Sequence, residues 1–229
     1  MAVVLQGNIN RSRVAHDLRE QISLEKAADI ILISEQYRAR DGPGWYEDTL
    51  GTAAIWIPNR QRFPVADLGS DSGFVWVKSS DVTYVSCYFT PNERIADFQA
   101  KLDGLEDAVR EMEGELVVAG DFNASRGGRL SEMVSRVGLV VLNTCSSTTF
   151  RRPGYRETII DVSLSTERLA SRVEDWMVIE DYTASDHQYI TFRVRDVIPV
   201  RSNTPKAPAK WNGNKMDPQK LSPALIRGQ

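Results

Sequence analysis

Several features that would assign a chain to other protein classes are scarce or missing in this sequence. It has two cysteines and two histidines in 229 residues, and no apolar run approaches the ~20 residues that a membrane span requires. Cys87 and Cys145 each lie in an apolar, strand-like stretch, which favours buried thiols in a reducing, intracellular environment over a disulfide. The first five residues lack the basic flank and the cleavage site of a signal peptide. Glycine patterns typical of dinucleotide-binding or phosphate-binding loops are also missing.

Acidic residues outnumber basic ones in the first 198 residues. The whole chain carries a net charge of −3, and residues 199–229 hold six Lys or Arg and one acid, a balance of +5, so residues 1–198 carry −8. Residues 199–229 also hold five of the ten prolines. This composition is typical of a linker that leaves a finished domain. We therefore expect a domain over residues 1–197 and a Pro- and Lys-rich linker over residues 198–229 that leads to a further module.

Strand and helix patterns alternate in the first half of the chain, and hairpin-like patterns occur in both halves. Ser12 can cap a helix with Val14, Leu18 and Ile22 on its apolar face. A longer helix is predicted from Ile95 to Met112, and another around residues 130–137. Strands are predicted over residues 2–6, 30–33, 52–57, 74–78, 82–89, 115–119, 139–142, 148–150, 158–164, 176–179 and 189–194. The pattern indicates packed sheets flanked by helices.

Polar side chains follow two of the predicted buried strands at a spacing of two residues. Asp121 and Asn123 come directly after the apolar run at 115–119, and Asn8 and Asn10 follow the first strand. Residues i and i+2 of an extended segment point to the same side, so each pair can converge on one point. The alternative is an Asx turn, in which the side chain caps a backbone group after the strand. The residues alone leave both interpretations open.

Further acidic residues and one histidine lie at or near the ends of other strands. Glu35 follows the run Ile-Ile-Leu-Ile, where a carboxylate is costly unless it is paired, bound to a metal or open to solvent. Asp161 lies in the middle of a predicted strand, and Asp186 and His187 precede the last strand. Taken singly, Asp161 could cap a turn and His187 could be an ordinary surface residue. His16 is expected to face solvent on its helix.

Taken together, these clusters resemble the motifs of the exonuclease–endonuclease–phosphatase superfamily, in the same order along the chain. Within it, the chain is most similar to the apurinic/apyrimidinic-endonuclease-like domain of non-LTR retrotransposons (LINE elements). The residues around the motifs resemble those of site-specific elements that insert in telomeric repeats or ribosomal DNA. The motifs that carry the resemblance are Gln6–Asn10, Ile33–Gln36, Tyr88–Asn92, Gly120–Ala124, Thr149–Phe150, Thr158–Asp161 and Ser185–His187.

The resemblance implies a fold and an activity. The fold would be a four-layer α/β sandwich, in which two mixed β-sheets pack face to face with helices outside. The activity would be a Mg²⁺-dependent (or Mn²⁺-dependent) nick in double-stranded DNA. The nick would leave a 3′ hydroxyl that primes reverse transcription by a downstream reverse transcriptase module in the same polypeptide. The site of action would be the nucleus, and no membrane would be involved.

The resemblance also assigns metal ligands and phosphate contacts. Glu35 would bind Mg²⁺, a hard ion that prefers oxygen ligands. Asn10 would be a further ligand, and Asp186 would be a second acidic ligand or would help to hold His187. Hydrogen bonds to the phosphate oxygens would come from side chains that add no negative charge. These donors would be Asn8, Tyr88 and Asn123.

The remaining assignments concern the base and the DNA contacts. His187, oriented by Asp161, would be the base that activates water. Asp121 is the alternative base. The residues expected to contact DNA are Arg11, Arg13, Thr149, Arg151, Arg152 and Thr158.

Three departures from the family pattern leave other functions open. Asn10 stands where the repair enzymes usually carry Asp, which would weaken Mg²⁺ binding, and Tyr88 is separated from Pro91 by two residues instead of one. Only residues 124–129 connect Asn123 to the next predicted helix, whereas relatives usually have a longer segment. The charge of −8 also argues against broad, tight DNA binding. The alternatives are a catalytically impaired DNA-targeting module and a superfamily phosphoesterase that acts on a small or lipid substrate.

Overall fold

Two six-stranded β-sheets form the framework of the computed structural model. The structure describes residues 1–37, 42–123 and 127–197, so the predicted linker over residues 198–229 lies outside the described residues. Met1–Asp196 form one compact unit. The strands are β1 (Ala2–Asn8), β2 (Ile30–Ser34), β3 (Trp45–Glu47), β4 (Ala53–Trp56), β5 (Asp67–Asp71), β6 (Phe74–Ser79), β7 (Val82–Tyr88), β8 (Glu115–Asp121), β9 (Leu139–Val141), β10 (Asp161–Thr166), β11 (Val173–Val178) and β12 (Ile190–Val194).

Both sheets have a parallel pair at their centre and antiparallel strands on either side of it. The strand order is β11-β12-β1-β2-β4-β3 in the first sheet and β5-β6-β7-β8-β10-β9 in the second. The parallel pairs are β1–β2 and β7–β8. Because parallel neighbours end at the same edge of a sheet, the carboxyl ends of these four strands form two adjacent edges. β10 runs antiparallel to β8, so its first residue lies at the same edge.

Helices cover the outer faces of both sheets. They are α1 (Arg13–Glu25), α2 (Ile95–Glu111) and α3 (Gly127–Val137). The short helix α4 (Glu167–Ala170) instead contributes Leu169 to the core between the sheets. One apolar cluster lies between the two sheets, a second joins α1 to the first sheet, and a third joins α2 and α3 to the second sheet. The predicted four-layer α/β sandwich is therefore confirmed. Among the described residues, no helix combines the length and the apolar character that crossing a membrane would require.

The predicted cap of α1 is confirmed, but its predicted apolar face is partly wrong. Ser12 Oγ accepts a hydrogen bond from the Ala15 N–H at 3.2 Å. Val14 is 62% exposed, whereas Arg19 is 1% exposed. The Arg19 guanidinium lies 5.1 Å and 4.4 Å from the ring centroids of Trp45 and Trp56. Such cation–π contacts stabilise a charged side chain at a buried position where an apolar one was expected.

Other sequence-based expectations also need correction. His16 is half-buried and lies against the rings of Tyr37 and Trp45 instead of facing solvent. The edge strands β3 and β5 were not predicted. β3 has only three residues, and β5 is polar and mostly exposed. Asp161 is the first residue of β10 and not its middle. Phe150 and Thr158 form an isolated bridge instead of longer strands.

Candidate active site

The strand ends of both sheets open into one cleft of about 840 Å³. The carboxyl ends of β2, β7 and β8 lie there with the loops that follow them, as do the loop after β1, the loop before β10 and the loop before β12. The candidate catalytic and metal-binding residues therefore come from six separate stretches of chain. The lining includes Asn10, Arg11, Glu35, Tyr88, Asp121, Asn123, Phe150, Arg152, Tyr155, Arg156, Thr158, Asp186 and His187.

β1 and β8 end in the same local structure. Asn8 Oδ1 accepts a hydrogen bond from the Asn10 N–H at 2.7 Å, and Asp121 Oδ1 accepts one from the Asn123 N–H at 2.9 Å. Asn10 and Asn123 have φ angles of 48° and 51°, in the left-handed region that Asn tolerates. The i, i+2 pairs therefore form Asx turns, and these turns also bring Asn10, Asp121 and Asn123 together at the cleft. A hydrogen bond of 2.9 Å from Asn8 Nδ2 to Asp121 Oδ2 joins the two turns and hence the two sheets.

Asp161 and His187 form a buried pair beside Asp121. Asp161 lies directly opposite Asp121 in the β8–β10 register. His187 Nδ1 is 2.8 Å from Asp161 Oδ2, and the two residues are 4% and 2% exposed. Ser185 Oγ accepts a hydrogen bond from the His187 N–H at 3.2 Å and donates one to the Asn8 carbonyl at 2.8 Å. Since Nδ1 faces Asp161, Nε2 is the ring nitrogen available to a substrate.

Burial and charge perturb the proton affinities of this cluster. Ligand atoms of Asp121, Asp161 and His187 all lie within 4.8 Å of one another. Burial, together with the negative charge of Asp161, raises the pKa of Asp121 to about 7. Burial by itself would lower the pKa of His187, but the charge and the hydrogen bond of Asp161 outweigh it and raise this pKa to about 9. At neutral pH, His187 is therefore mostly an imidazolium, while Asp121 can take up a proton.

Oxygen donors suited to a divalent cation lie in the same cleft. Glu35 follows β2 with a φ of 53°, and its Oε1 is 3.8 Å from Arg11 Nε. Asp186 Oδ2 accepts a hydrogen bond from Asn10 Nδ2 at 3.3 Å and lies 3.7 Å from Arg152 Nε. Carboxylate and amide oxygens from three separate loops are the ligands that Mg²⁺ prefers. The donor set therefore fits a divalent metal ion.

Two further buried side chains, Asp161 and Tyr88, affect what the cleft can bind. Asp161 Oδ1 is buried and has no hydrogen-bond partner among the described residues, although an unsatisfied buried oxygen is costly. A cation or a substrate proton at the cluster would satisfy it. Tyr88 is 4% exposed. Burial, with the nearby charge of Glu35, raises the pKa of Tyr88 well above its ordinary value, so the phenol stays protonated and can donate a hydrogen bond.

The residues expected to contact DNA divide into two groups. Arg11, Arg152 and Thr158 line the cleft. The other three residues do not line it. Arg13 lies on the surface of α1, 3.9 Å from Asp17. The remaining two, Arg151 and Thr149, are tied to other parts of the protein.

Arg151 and Thr149 hold the surrounding structure. The Arg151 guanidinium makes two hydrogen bonds to the Glu180 carboxylate, at 2.5 Å and 2.9 Å. Thr149 is fully buried, and its Oγ1 accepts hydrogen bonds from the N–H groups of Ile160 and Asp161 at 3.2 Å and 3.1 Å. A DNA contact by Thr149 does not fit this placement. Its hydroxyl instead fixes the start of β10, and thereby Asp161.

Tyr155 and Arg156 line the cleft but were not predicted from the sequence. Tyr155 is 62% exposed, and the Arg152 guanidinium lies 4.9 Å from the centre of its ring. No ion pair joins Arg156 to another residue within the described part of the chain. Their position shortly after the Thr149–Phe150 motif is the signal that could have indicated them. Residues 124–126 of the shortened loop lie outside the described residues.

Two packed mixed sheets with this site at their shared edge define a nuclease-like endonuclease fold. The family described as "Endonuclease-reverse transcriptase" matches residues 82–191. The solved structure titled "Endonuclease domain of TRAS1, a telomere-specific non-LTR retrotransposon" is 27% identical, with a TM-score of 0.71 over 86% of this chain and 100% of that one. Comparison with curated protein sequences gives no match.

A second solved structure shares the fold. An AP endonuclease from Archaeoglobus fulgidus is 16% identical, with a TM-score of 0.67 over 86% of this chain and 100% of that one. These comparisons confirm the resemblance found in the motifs. The chain resembles the apurinic/apyrimidinic-endonuclease-like domain of a non-LTR retrotransposon.

Proposed function

We propose that this protein is a divalent-metal-dependent DNA endonuclease that nicks the target DNA of a retrotransposon. The observation that carries the proposal is the buried Asp161–His187 pair, 2.8 Å apart and next to Asp121, in a cleft that also holds the carboxylates of Glu35 and Asp186. Proton transfer, metal ligation and phosphate binding all need groups of these types. The cleft brings them together in one place.

The metal ion would be held by Glu35, Asp186 and Asn10. When bound, Mg²⁺ or Mn²⁺ would supply Lewis acidity at the phosphate and stabilise the leaving oxygen. Glu35 is the central ligand in this assignment, because it stands at the end of β2 with its carboxylate in the cleft.

Proton transfer would be carried out by the buried cluster. Water attacks phosphorus, the bond to the 3′ oxygen breaks, and the phosphate stays on the 5′ side. The departing 3′ oxygen takes up a proton from solvent, which leaves a 3′ hydroxyl. Asp121, with its pKa near 7, takes the proton of the attacking water. His187, charged at neutral pH, donates from Nε2 to a phosphoryl oxygen, as preorganised donors do. The pKa values thus favour the alternative base, Asp121, over His187.

The substrate would be double-stranded DNA, and its backbone would meet positive charge only locally. Arg11, Arg152 and Arg156 line the cleft although residues 1–198 carry −8 overall. The 3′ hydroxyl would prime reverse transcription by a module downstream of the linker at 198–229, and the reaction would take place in the nucleus. The similarity to a retrotransposon endonuclease domain supports this role.

Incubation of the protein with supercoiled plasmid tests the proposal. With Mg²⁺ we expect open circles, and with EDTA none. A DNA polymerase should extend the nicked product without prior phosphatase treatment, because the nick carries a 3′ hydroxyl. Nicking that persists in EDTA, or product ends that need a phosphatase before extension, would contradict the proposal.

The same experiment separates the alternatives. Plasmid binding in a gel-shift assay without nicking would indicate a catalytically impaired DNA-targeting module. Hydrolysis of a small phosphoester or of sphingomyelin, with an intact plasmid, would indicate a superfamily phosphoesterase.

A further inference from the structure

The geometry points to Ser34 as a positioning residue that fixes Asp121 in the cleft. Ser34 is the last residue of β2 and is 2% exposed. It does not line the cleft and cannot touch a substrate. The inference rests on the proposed function, because Asp121 is the base there.

The Ser34 hydroxyl links three strands of the two sheets. Its Oγ donates a hydrogen bond of 2.7 Å to the carbonyl of Cys87 in β7. The same oxygen accepts a hydrogen bond of 3.2 Å from the N–H of Asp121 in β8. Since the proton points to Cys87, a lone pair of Oγ remains for Asp121. One side chain from the first sheet thus binds the ends of both parallel strands of the second sheet.

The contact with Ser34 adds to the other hydrogen bonds of Asp121. Its carboxylate accepts hydrogen bonds from Asn8 Nδ2 and from the Asn123 N–H, both at 2.9 Å. Its carbonyl accepts the Phe89 N–H at 3.0 Å. The Asp121 N–H lies in the β7–β8 pairing, opposite Tyr88, and the hydroxyl of Ser34 adds a contact to it from the first sheet. Without it, the main chain of Asp121 keeps its partners within the second sheet but loses its link to β2, so the end of β8 is held less firmly against the first sheet.

The contact also links the proposed base to the proposed metal ligand. Ser34 is followed directly by Glu35, whose φ of 53° turns the chain at the end of β2. A fixed distance between Ser34 Oγ and the Asp121 N–H therefore fixes the spacing between the main chains that carry Glu35 and Asp121. Misplacement of a catalytic group by about 1 Å can lower a rate by about 100-fold.

A second buried serine provides a matched control. Ser86 in β7 is fully buried, and its Oγ donates a hydrogen bond of 3.0 Å to the carbonyl of Ile33 in β2. Ser34 and Ser86 thus join the same two strands in opposite directions. Among the described residues, Ser86 Oγ hydrogen-bonds to Ile33 and not to Asp121, Glu35 or His187. Replacing either serine by alanine removes a buried hydrogen bond between β2 and β7, but only Ser34→Ala also removes a contact with Asp121.

The experiment compares Ser34→Ala and Ser86→Ala with the wild type, well below their melting temperatures. We expect Ser34→Ala to lower kcat for nicking by about 10- to 100-fold, with KM for DNA unchanged because Ser34 does not touch DNA. Ser86→Ala should keep the wild-type kcat. Ser34→Cys, which has a weaker acceptor of similar size, should fall between the wild type and Ser34→Ala. It also serves as the folded variant if alanine is not tolerated.

Hydrogen exchange of the Asp121 amide, followed by NMR, gives a readout that does not need activity. Exchange should accelerate in Ser34→Ala and stay slow in Ser86→Ala. Unchanged exchange in Ser34→Ala, or equal kcat values for the two alanine variants, would overturn the inference. If the wild type itself fails to nick, the proposed function fails. Amide exchange then decides by itself whether Ser34 holds Asp121.

Discussion

Replacement of Asp161 by asparagine gives the sharpest test of the catalytic cluster. Asn has the same size, but it removes a charge from a site where Asp161 Oδ2 lies 2.8 Å from His187 Nδ1. Its amide can also present an N–H group to the ring, which favours the wrong tautomer of His187. In serine proteases, the corresponding change lowers kcat by about 10⁴-fold.

The structure sets the expected magnitude. The surroundings raise the pKa of His187 from 6.5 to about 9, and Asp161 is the main cause that raises it. At 1.36 kcal/mol for each factor of ten, this corresponds to about 3 kcal/mol in favour of the charged ring. A loss of that size is about 10²-fold in rate, at the lower end of the ~10²–10³-fold range for a preorganised hydrogen-bond donor to the transition state. We therefore expect Asp161→Asn and His187→Ala each to lower the rate by at least about 10²-fold.

The double variant tests whether the two residues act as a unit. Because Asp161 acts through His187, the double variant should lose no more than the more impaired single variant. Single-turnover nicking of a defined duplex in saturating Mg²⁺ measures the chemical step. Asp81→Asn, which breaks an ion pair with Arg172 at the start of β7, controls for the loss of a carboxylate elsewhere. A double variant that loses the product of the two single losses would refute the coupling.

Three further predictions concern the metal site and the fold. Glu35→Ala should abolish nicking without lowering Tm, and wild-type nicking by this variant in limiting Mg²⁺ would exclude Glu35 as a ligand. Asp48 is 4% exposed, and its carboxylate accepts five hydrogen bonds. Since an amide offers only one acceptor oxygen, Asp48→Asn should lower the free energy of unfolding, measured in urea, by about 3 kcal/mol. A decrease below about 1 kcal/mol would contradict this. Hydrogen bonds from Arg136 and Arg110 lower the pKa of Glu106 to about 2. The stability it adds is therefore present above pH 4.5 and lost as the pH falls towards 2, so the Tm difference between the wild type and Glu106→Gln should shrink across that range, and a constant difference would argue against it.

The layers and the strand ends could be predicted because their signals are local. Each buried strand is a short apolar run, and a polar residue at its end is visible in the sequence. Asp121, Asn123 and Glu35 could thus be assigned to strand ends, and the structure places all three in one cleft. That the ends of both sheets meet does not follow from any single strand. It followed from the order of the motifs and their resemblance to a known family.

Other features depend on contacts between distant residues and could not be predicted. The buried face of α1 contains Arg19 because Trp45 and Trp56 flank its guanidinium. Thr149 resembles a surface residue in a polar loop, but its hydroxyl is buried under the start of β10. The role of Ser34 likewise depends on a hydrogen bond across 87 positions of the chain. Local patterns do not encode such pairs.

The negative charge of the domain and a DNA substrate are compatible because screening limits the range of each charge. At physiological ionic strength the Debye length is about 8 Å, so the potential in the cleft is set by the groups that line it. These groups include three arginines (Arg11, Arg152, Arg156) and three acids (Glu35, Asp121, Asp186), so the two signs are about balanced in the cleft although the domain as a whole is acidic. Many of the acids lie elsewhere: α2 alone, on the outer face of the second sheet, carries five acids and two basic residues. A bound divalent ion would add further positive charge beside Glu35. The net charge of −8 therefore limits non-specific binding along the rest of the surface, and leaves the site itself able to hold a phosphate.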